Sequence, residues 1–300
     1  MTVRPDAEAG GPAPDADAPA GLPGAATATG AAGDAEPRPG FTLDAFHYGG
    51  FYLVQPEASG HRAGMDAMLL AATVPPGARG ALADLGAGAG AAVLAAANRL
   101  PDLAVTLVER SPVMADCARR TLALVQNAHL APRLAVLEAD VSLHGDSRRA
   151  AGLADQAFDF VIMNPPFNPG FDRRTPDPLK AEAHVMETGD LFERWLRTAG
   201  AILRPGGQVS VIARPESVAE ILAGLGKRFG GAEITPVCPR PGDDAIRMLV
   251  TAIKGSRARL SLRDRLLLHD GPGTRFTALM GDLGNGRAAH LRRSPARTGK

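Results

Sequence analysis

The final pair of predicted strands limits the fold of this chain more than any other feature of its sequence. The apolar segments 232–237 and 246–253 both have strand character, and only the short loop CPRPGDDA separates them. Parallel neighbours need a crossover of a dozen or more residues, so this loop forces an antiparallel pair. The chain therefore ends its sheet with an antiparallel hairpin.

A regular alternation of strands and helices begins near Gly80 and leads into this hairpin. Strands are predicted at 81–85, 104–109, 134–139, 158–163 and 207–213, and helices at about 90–99, 112–128, 189–203 and 215–228. Such alternation is typical of parallel strands joined by crossover helices. The prediction is an α/β, doubly wound, Rossmann-like fold. Its mostly parallel seven-stranded sheet ends in the hairpin and has its fourth strand next to its first.

The two ends of the chain differ from this middle region. Residues 1–40 contain no aromatic side chain, so they bury too little apolar area to offset their ordering entropy, and we expect a disordered tail. The folded domain is predicted to span 41–270 and to begin with a short hairpin and a helix at about 65–72. Residues 271–300 are predicted to form a basic, flexible tail.

The composition argues against several classes of protein. No run of about 18 apolar residues occurs, so a membrane span is not expected, and the start of the chain lacks the pattern of a secretory signal. Cys117 and Cys238 have no CxxC partner, so neither a disulfide nor a metal site is expected. We expect a cytoplasmic protein that binds no metal and no membrane.

Positive charge is concentrated at the C-terminal end. Residues 254–300 hold eleven Lys or Arg against three acidic residues, although the whole chain has a net charge of only +1. An excess of this kind can bind a polyanion such as RNA. The alternative is an arginine-rich solvated surface followed by a tail, and the sequence leaves both open.

A glycine-rich loop, ADLGAGAGA (83–91), follows the first strand of the alternation and opens a helix. Gly86, Gly88 and Gly90 permit positive φ angles and allow a ligand to lie against the bare backbone. The spacing also satisfies the nicotinamide-dinucleotide fingerprint, so the loop alone does not identify its ligand. A glycine-rich turn without any ligand is a further alternative.

Three acidic residues lie at the carboxyl ends of the first three strands of the alternation: Asp84, Glu109 and Asp140. Open sheets bind their ligands at this edge. There Asp84 suits an ammonium group, Glu109 suits ribose hydroxyls, and Asp140 suits an adenine amino group. S-adenosylmethionine carries all three groups, whereas a dinucleotide has no ammonium for Asp84. S-adenosylmethionine is therefore the predicted cofactor.

The fourth strand ends in the sequence NPPF, residues 164–167. A nitrogen on an aromatic ring or an amide is a poor nucleophile because its lone pair is delocalised. Two acceptors aimed at its hydrogens, the Asn164 side-chain oxygen and the Pro165 carbonyl, favour a pyramidal nitrogen whose lone pair faces a methyl group. Pro166 fixes the backbone, and Phe167 can cover a flat acceptor. These four residues are the catalytic candidates, unless Asn-Pro only starts a turn.

These motifs together resemble the bacterial tRNA (adenine-N6)-methyltransferase family, which modifies the adenine beside the anticodon of a valine tRNA. The resemblance is carried by HRAGMDAMLLAA (61–72), DLGAGAG (84–90), Glu109, AD (139–140), NPPF (164–167), LRPGG (203–207) and RMLVTAIKGSRARLSLRDRLLLHD (247–270). The antiparallel end of the sheet likewise distinguishes the class I methyltransferase fold from the ordinary dinucleotide fold.

The resemblance implies an S-adenosylmethionine-dependent N-methyltransferase acting on an adenine amine in a tRNA anticodon loop. Asp84 and the three glycines would hold the methionine part of the donor, Glu109 its ribose and Asp140 its adenine. Asn164 would touch both donor and acceptor, and the basic C-terminal region would bind the RNA. Arg62 and Asp66 would either line the pocket or form a structural pair.

Four alternative functions remain beside this one. The same strand-end motif, Asn-Pro-Pro followed by an aromatic residue, occurs in methyltransferases that act on a glutamine amide of release factors. These enzymes, however, carry a folded helical N-terminal domain. A second alternative is a ribosomal RNA guanine-amine methyltransferase, although many of these enzymes carry a duplicated domain. A non-catalytic nucleic-acid-binding protein would be expected to lose the acceptor or the donor motif, and both are intact here. An oxidoreductase would need a proton-transfer residue after the fourth strand.

Overall fold

The computed structural model describes residues 40–57, 63–166, 190–290 and 292–293. The strands are β1 (Phe41–Phe46), β2 (Phe51–Pro56), β3 (Gly80–Leu85), β4 (Leu103–Glu109), β5 (Leu134–Glu138), β6 (Phe158–Met163), β7 (Leu203–Ala213), β8 (Phe229–Cys238), β9 (Arg247–Lys254), β10 (Ser261–Leu262) and β11 (Leu266–Leu267). The helices are α1 (Met65–Ala72), α2 (Ala91–Arg99), α3 (Pro112–Ala123), α4 (Gly145–Ala150), α5 (Leu191–Ile202), α6 (Val218–Leu225) and α7 (Ala278–Gly284).

The main sheet confirms the predicted α/β class. Its strands follow the order β10-β8-β9-β7-β6-β3-β4-β5, and β7, β6, β3, β4 and β5 are parallel neighbours. The strands β8 and β9 pair antiparallel with each other, and β9 pairs antiparallel with β7, as the short loop between β8 and β9 requires. Two short strands that the sequence did not reveal, β10 and β11, add to the seven predicted ones by pairing with β8.

A two-stranded antiparallel hairpin, β1–β2, precedes the main sheet and is attached to it through α3. Asn127 accepts a hydrogen bond from Tyr52 N at 2.9 Å and donates to Tyr52 O at 2.7 Å. Thr121 Oγ1 accepts from Val54 N at 2.9 Å. These bonds explain why the predicted helix at 112–128 ends early at Ala123, because Leu124 turns to extended backbone and brings Asn127 to the hairpin.

The predicted flexible tail is wrong for residues 271–290. Helix α7 lies within it, and the side chains of Met280 and Leu283 are almost fully buried in the core. The helix is capped by Thr277, whose Oγ1 accepts from Met280 N at 3.2 Å, and His290 N donates to Ala72 O at 2.8 Å. The prediction rested on the net positive charge of the region, which does not register a short apolar helix. The predicted disorder of 1–40 lies outside the described residues, Gly40 excepted.

Hydrophobic side chains cover both faces of the sheet. One cluster includes residues of α1, α2, α3 and α7, and the other includes residues of α5 and α6. Because β6 pairs with β3, the segment that follows Met163 emerges beside the loop that follows Leu85. The strand order therefore brings the proline-containing corner and the glycine loop to one edge. Within the described ranges, no helix is long and apolar enough to cross a membrane.

Candidate functional site

The glycine loop between β3 and α2 is held tightly by the protein itself. Gly86, Gly88 and Gly90 all have positive φ angles, of 75°, 57° and 98°. A Cβ on Gly86 would lie 2.6 Å from the Trp195 ring, and one on Gly90 would lie 2.6 Å from Leu107 Cδ2. These two glycines are therefore required by packing as well as by backbone conformation. At Gly88 the nearest atom to such a Cβ would be at 3.5 Å, which is ordinary contact.

Glu109, at the end of β4, ties this loop to the start of α3. Its Oε2 accepts from Gly88 N and its Oε1 accepts from Ser111 N, both at 2.8 Å. The residue is only 9% exposed. A carboxylate oxygen has two lone pairs, so each oxygen can still accept one further bond. Glu109 therefore orders the loop and retains acceptors for a diol.

Asp84, near the end of β3, is buried at the base of the same loop. Burial raises the pKa of Asp84 to about 8, and the neighbouring Glu109 charge adds to the rise. A buried carboxyl group with this pKa is mostly protonated at neutral pH, and a bound cation would favour its ionised form. Asp84 is thus suited to an ammonium group.

Asp140 lies two residues beyond the end of β5 and is half-buried. Its Oδ1 accepts from Ser142 N at 2.7 Å, a local turn that fixes the carboxylate at the carboxyl edge of the sheet. The three predicted acids therefore lie at or just beyond the carboxyl ends of three adjacent strands, at one edge of the sheet.

Asn164 follows the last residue of β6, and its Oδ1 is buried without a hydrogen-bond partner among the described residues. Pro165 is buried and Pro166 is exposed. Phe167 lies outside the described residues. The strand thus ends, as expected, where the first proline removes a ladder donor, and it leaves an amide oxygen available as an acceptor.

Buried polar atoms that lack a partner are concentrated at this edge of the described structure. They are Ser111 Oγ, Ser142 Oγ, Asn164 Oδ1, Trp195 Nε1 and Arg214 Nε, and the only others among the described residues are Gln126 Oε1 and Arg197 Nε. A buried donor or acceptor is normally paired, so a cluster of unpaired ones marks a place where a polar ligand fits.

The sequence-based reasoning missed four members of this cluster. Ser111, Ser142 and Arg214 each follow a predicted strand end closely, so their positions carried a usable signal. Trp195 carried none, because only the packing of α5 against the loop places its indole beside Gly86.

Asp66 forms an ion pair with a residue distant in the sequence. Asp66 Oδ2 accepts from Arg247 Nε at 2.8 Å, which joins the first turn of α1 to the start of β9. Arg62 lies outside the described residues. No group of three or more His, Cys, Asp or Glu side chains suited to a metal occurs within the described ranges.

A family model described as "Methyltransferase small domain" matches residues 59–236, more than half of the chain. The chain belongs to this family. The matched range contains the glycine loop, the three acids and the NPPF motif.

Relatives of this methyltransferase support the resemblance found in its sequence. A protein of Porphyromonas gingivalis strain W83, named tRNA1(Val) (adenine(37)-N6)-methyltransferase, is 27% identical over 71% of this chain and 83% of its own length. A protein of the same name from Shewanella sediminis is 27% identical over 60% of this chain and 68% of its own. The ribosomal RNA small subunit methyltransferase C of Salmonella arizonae is 29% identical over 51% of this chain and 37% of its own.

A solved structure from Agrobacterium tumefaciens is also similar. It is described as a predicted O-methyltransferase, protein Atu636, and it is 52% identical to this chain with a TM-score of 0.67. The alignment covers 76% of this chain and all of the other. The similarity agrees with the class I methyltransferase fold observed here.

The chain is an S-adenosylmethionine-dependent methyltransferase, and the residues at the carboxyl edge fit this cofactor. The loop presents backbone held by Trp195 and Leu107, and Glu109 keeps free lone pairs for a diol. The buried Asp84 suits the ammonium group, and the half-buried Asp140 carboxylate can accept a hydrogen bond from an amino group. S-adenosylmethionine supplies an activated methyl group when it is bound.

Proposed function

We propose that this enzyme methylates the exocyclic amine of an adenine in RNA, in the anticodon loop of a tRNA, in the cytoplasm. The observation that carries the proposal is the buried Oδ1 of Asn164, which has no hydrogen-bond partner among the described residues and lies just after β6, next to the donor loop that follows β3. An amide oxygen at this place is suited to accept an N–H of the acceptor. The names of the tRNA and rRNA relatives support an RNA acceptor.

In the proposed mechanism, Asn164 Oδ1 and the Pro165 carbonyl accept the two amine hydrogens. Both bonds favour a pyramidal nitrogen, and its lone pair is then directed toward the donor. Each such bond contributes about 0.5–1.5 kcal/mol net, and more where charge develops in a dry site. The methylated nitrogen becomes acidic and releases its proton to solvent, so no general base is needed. Pro166 restricts the backbone, and Phe167 would stack on the base.

Exposed arginines after β9 are proposed to bind the RNA backbone. Arg263 and Arg292 form ion pairs within the protein, because both contact the buried carboxylate of Glu233. Arg257 and Arg259, by contrast, are exposed. The described C-terminal region has further exposed arginines, Arg265, Arg275, Arg287 and Arg293, but Arg257 and Arg259 lie just before β10 at the edge of the sheet, where phosphates can reach them.

The proposal is tested by transfer of tritium from labelled S-adenosylmethionine. Acceptors are total tRNA, total rRNA and release factor from cells that lack the enzyme, and the labelled product is hydrolysed and identified. We expect label in tRNA as N6-methyladenosine. Label on a glutamine of release factor, on a guanine of rRNA or on a ribose oxygen would each replace the proposal. The last would agree with the description of the Agrobacterium protein.

A further inference from the structure

Two arginines lie opposite each other at the edge that holds Asn164. The last pair of the β7–β9 ladder at this end is Ala213 with Met248. Arg214 continues with extended backbone, at φ −73° and ψ 151°, so the next step along both strands places Arg214 across from Arg247. Neither arginine belongs to the motifs that identified the donor site.

Two positive guanidinium groups at opposite positions destabilise the fold unless an anion compensates their charge. Like charges directly opposite on neighbouring strands repel. Asp66 compensates Arg247, with 2.8 Å between Oδ2 and Nε. The Nε of Arg214 is buried and has no hydrogen-bond partner within the described residues. Leaving a buried charged donor unpaired is unfavourable, so the edge keeps one positive group suited to an anionic ligand.

The distance from this group to the acceptor corner matches one nucleotide. Met163 pairs with Val211, so Asn164 is level with Ile212, and Arg214 lies two residues further along the adjacent strand. Two residues along a strand and one strand spacing across give a Cα separation of about 8 Å. That separation, extended by a long arginine side chain, is comparable to the span from a base amine to the phosphate of the same nucleotide.

We propose that Arg214 binds a phosphate of the acceptor nucleotide and so holds the target base against Asn164, with Arg247 kept in place by Asp66. The inference rests on the proposed function, because it requires an RNA acceptor. A guanidinium group donates two parallel hydrogen bonds to phosphate oxygens, a geometry that lysine lacks. Arg214 would therefore contribute orientation as well as charge, which matters for a base that must be flipped from its stack.

The test compares Arg214→Ala, Arg214→Lys and the control Arg79→Ala, which removes an exposed charge before β3. Binding of an unmodified valine tRNA transcript is measured at several salt concentrations with S-adenosylhomocysteine present. For Arg214→Ala we expect a salt slope smaller by about 0.7–0.9, the value for one lost phosphate contact. We also expect about tenfold weaker binding and unchanged affinity for S-adenosylhomocysteine. Arg214→Lys should restore the slope but not the full kcat/KM, and Arg79→Ala should behave as wild type.

Two results would overturn the inference alone. One is a wild-type salt slope in Arg214→Ala while the wild-type enzyme methylates tRNA. The other is a parallel loss of S-adenosylhomocysteine affinity, which would show that Arg214 only supports the fold. A wild-type enzyme that neither binds nor methylates the transcript or other RNA would overturn the proposed function as well.

Discussion

The donor side and the acceptor side of this site are built in different ways. On the donor side, both oxygens of Glu109 and one oxygen of Asp140 accept backbone N–H groups, and the glycine loop is packed against Trp195 and Leu107. On the acceptor side, neither Asn164 Oδ1 nor Arg214 Nε has a partner among the described residues, whereas the unpaired donor-side atoms, Ser111 Oγ, Ser142 Oγ and Trp195 Nε1, lie beside a loop that the protein already holds in place. The comparison teaches that the protein alone orders the donor loop, whereas the acceptor groups are suited to pairing with a substrate.

The largest effect is expected on the acceptor side. Asn164→Ala should lower kcat by about 10²–10³-fold, the usual cost of losing one preorganised polar contact in a reaction site. Affinity for S-adenosylhomocysteine should remain within a few fold, since the donor loop does not depend on this amide. Single-turnover methyl transfer and calorimetric titration measure the two quantities. Normal turnover in this variant would remove the assigned role of Asn164.

On the donor side, we expect Gly86→Ala to lower both stability and affinity for the donor. The new Cβ would meet the Trp195 ring at 2.6 Å at a positive φ, so we expect about 1–3 kcal/mol lower stability. Donor affinity should fall about 30-fold, which corresponds to about 2 kcal/mol. Chemical denaturation and titration with S-adenosylhomocysteine test both.

The matched control for Gly86 is Gly77→Ala. Gly77 also has a positive φ, of 72°, but no atom of the described residues lies within 4 Å of its added Cβ. It should therefore show only the backbone strain of about 1–2 kcal/mol, with normal donor affinity. Equal loss of donor affinity in the two variants would contradict the packing argument.

Asp84 makes the donor side sensitive to pH. Its pKa in the folded chain is about 8, above the ordinary 3.8, so the folded state binds more protons than the unfolded state between these values. The stability of the ligand-free protein should therefore fall as pH rises through this range. Binding of an ammonium group should release about one proton at pH 7, and affinity should increase about tenfold from pH 6 to pH 7.

The proton release is measured by calorimetric titration of S-adenosylhomocysteine in buffers of different ionisation enthalpy. Asp84→Asn should bind the ligand more weakly and without a dependence of the heat on the buffer. An identical heat in every buffer for the wild-type protein would show that Asp84 is already ionised before the ligand binds.

The smallest effect should come from the distant part of the acceptor side. Replacing Arg257 and Arg259 together by Ala should reduce the salt slope of tRNA binding by about 1.5, at about 0.7–0.9 per lost phosphate contact. Affinity should weaken only a few fold at high salt. The control is Arg119→Ala. Arg119 forms an ion pair with Glu138 at 2.7 Å, at the β5 edge of the sheet and far from β10. An unchanged slope in the double variant would argue against this docking surface.

Local features of this protein follow directly from its amino-acid sequence. The eight-residue loop between β8 and β9 imposed their antiparallel pairing, and Pro165 imposed the end of β6, because both effects depend only on chain length and the missing proline N–H. The positions of Asp84, Glu109 and Asp140 followed from strand periodicity and the rule that open sheets bind ligands at their carboxyl edge.

The set of distant residues that meet at that edge follows only from the three-dimensional packing. Trp195 behind Gly86, Asp66 against Arg247 and Arg214 opposite Arg247 join segments that no local pattern connects. The same holds for α7, whose Met280 and Leu283 fill the core although the surrounding chain is basic. Periodicity records which face of an element is buried, but the partner of that face is set by the order of the strands and by the packing of side chains across the sheet.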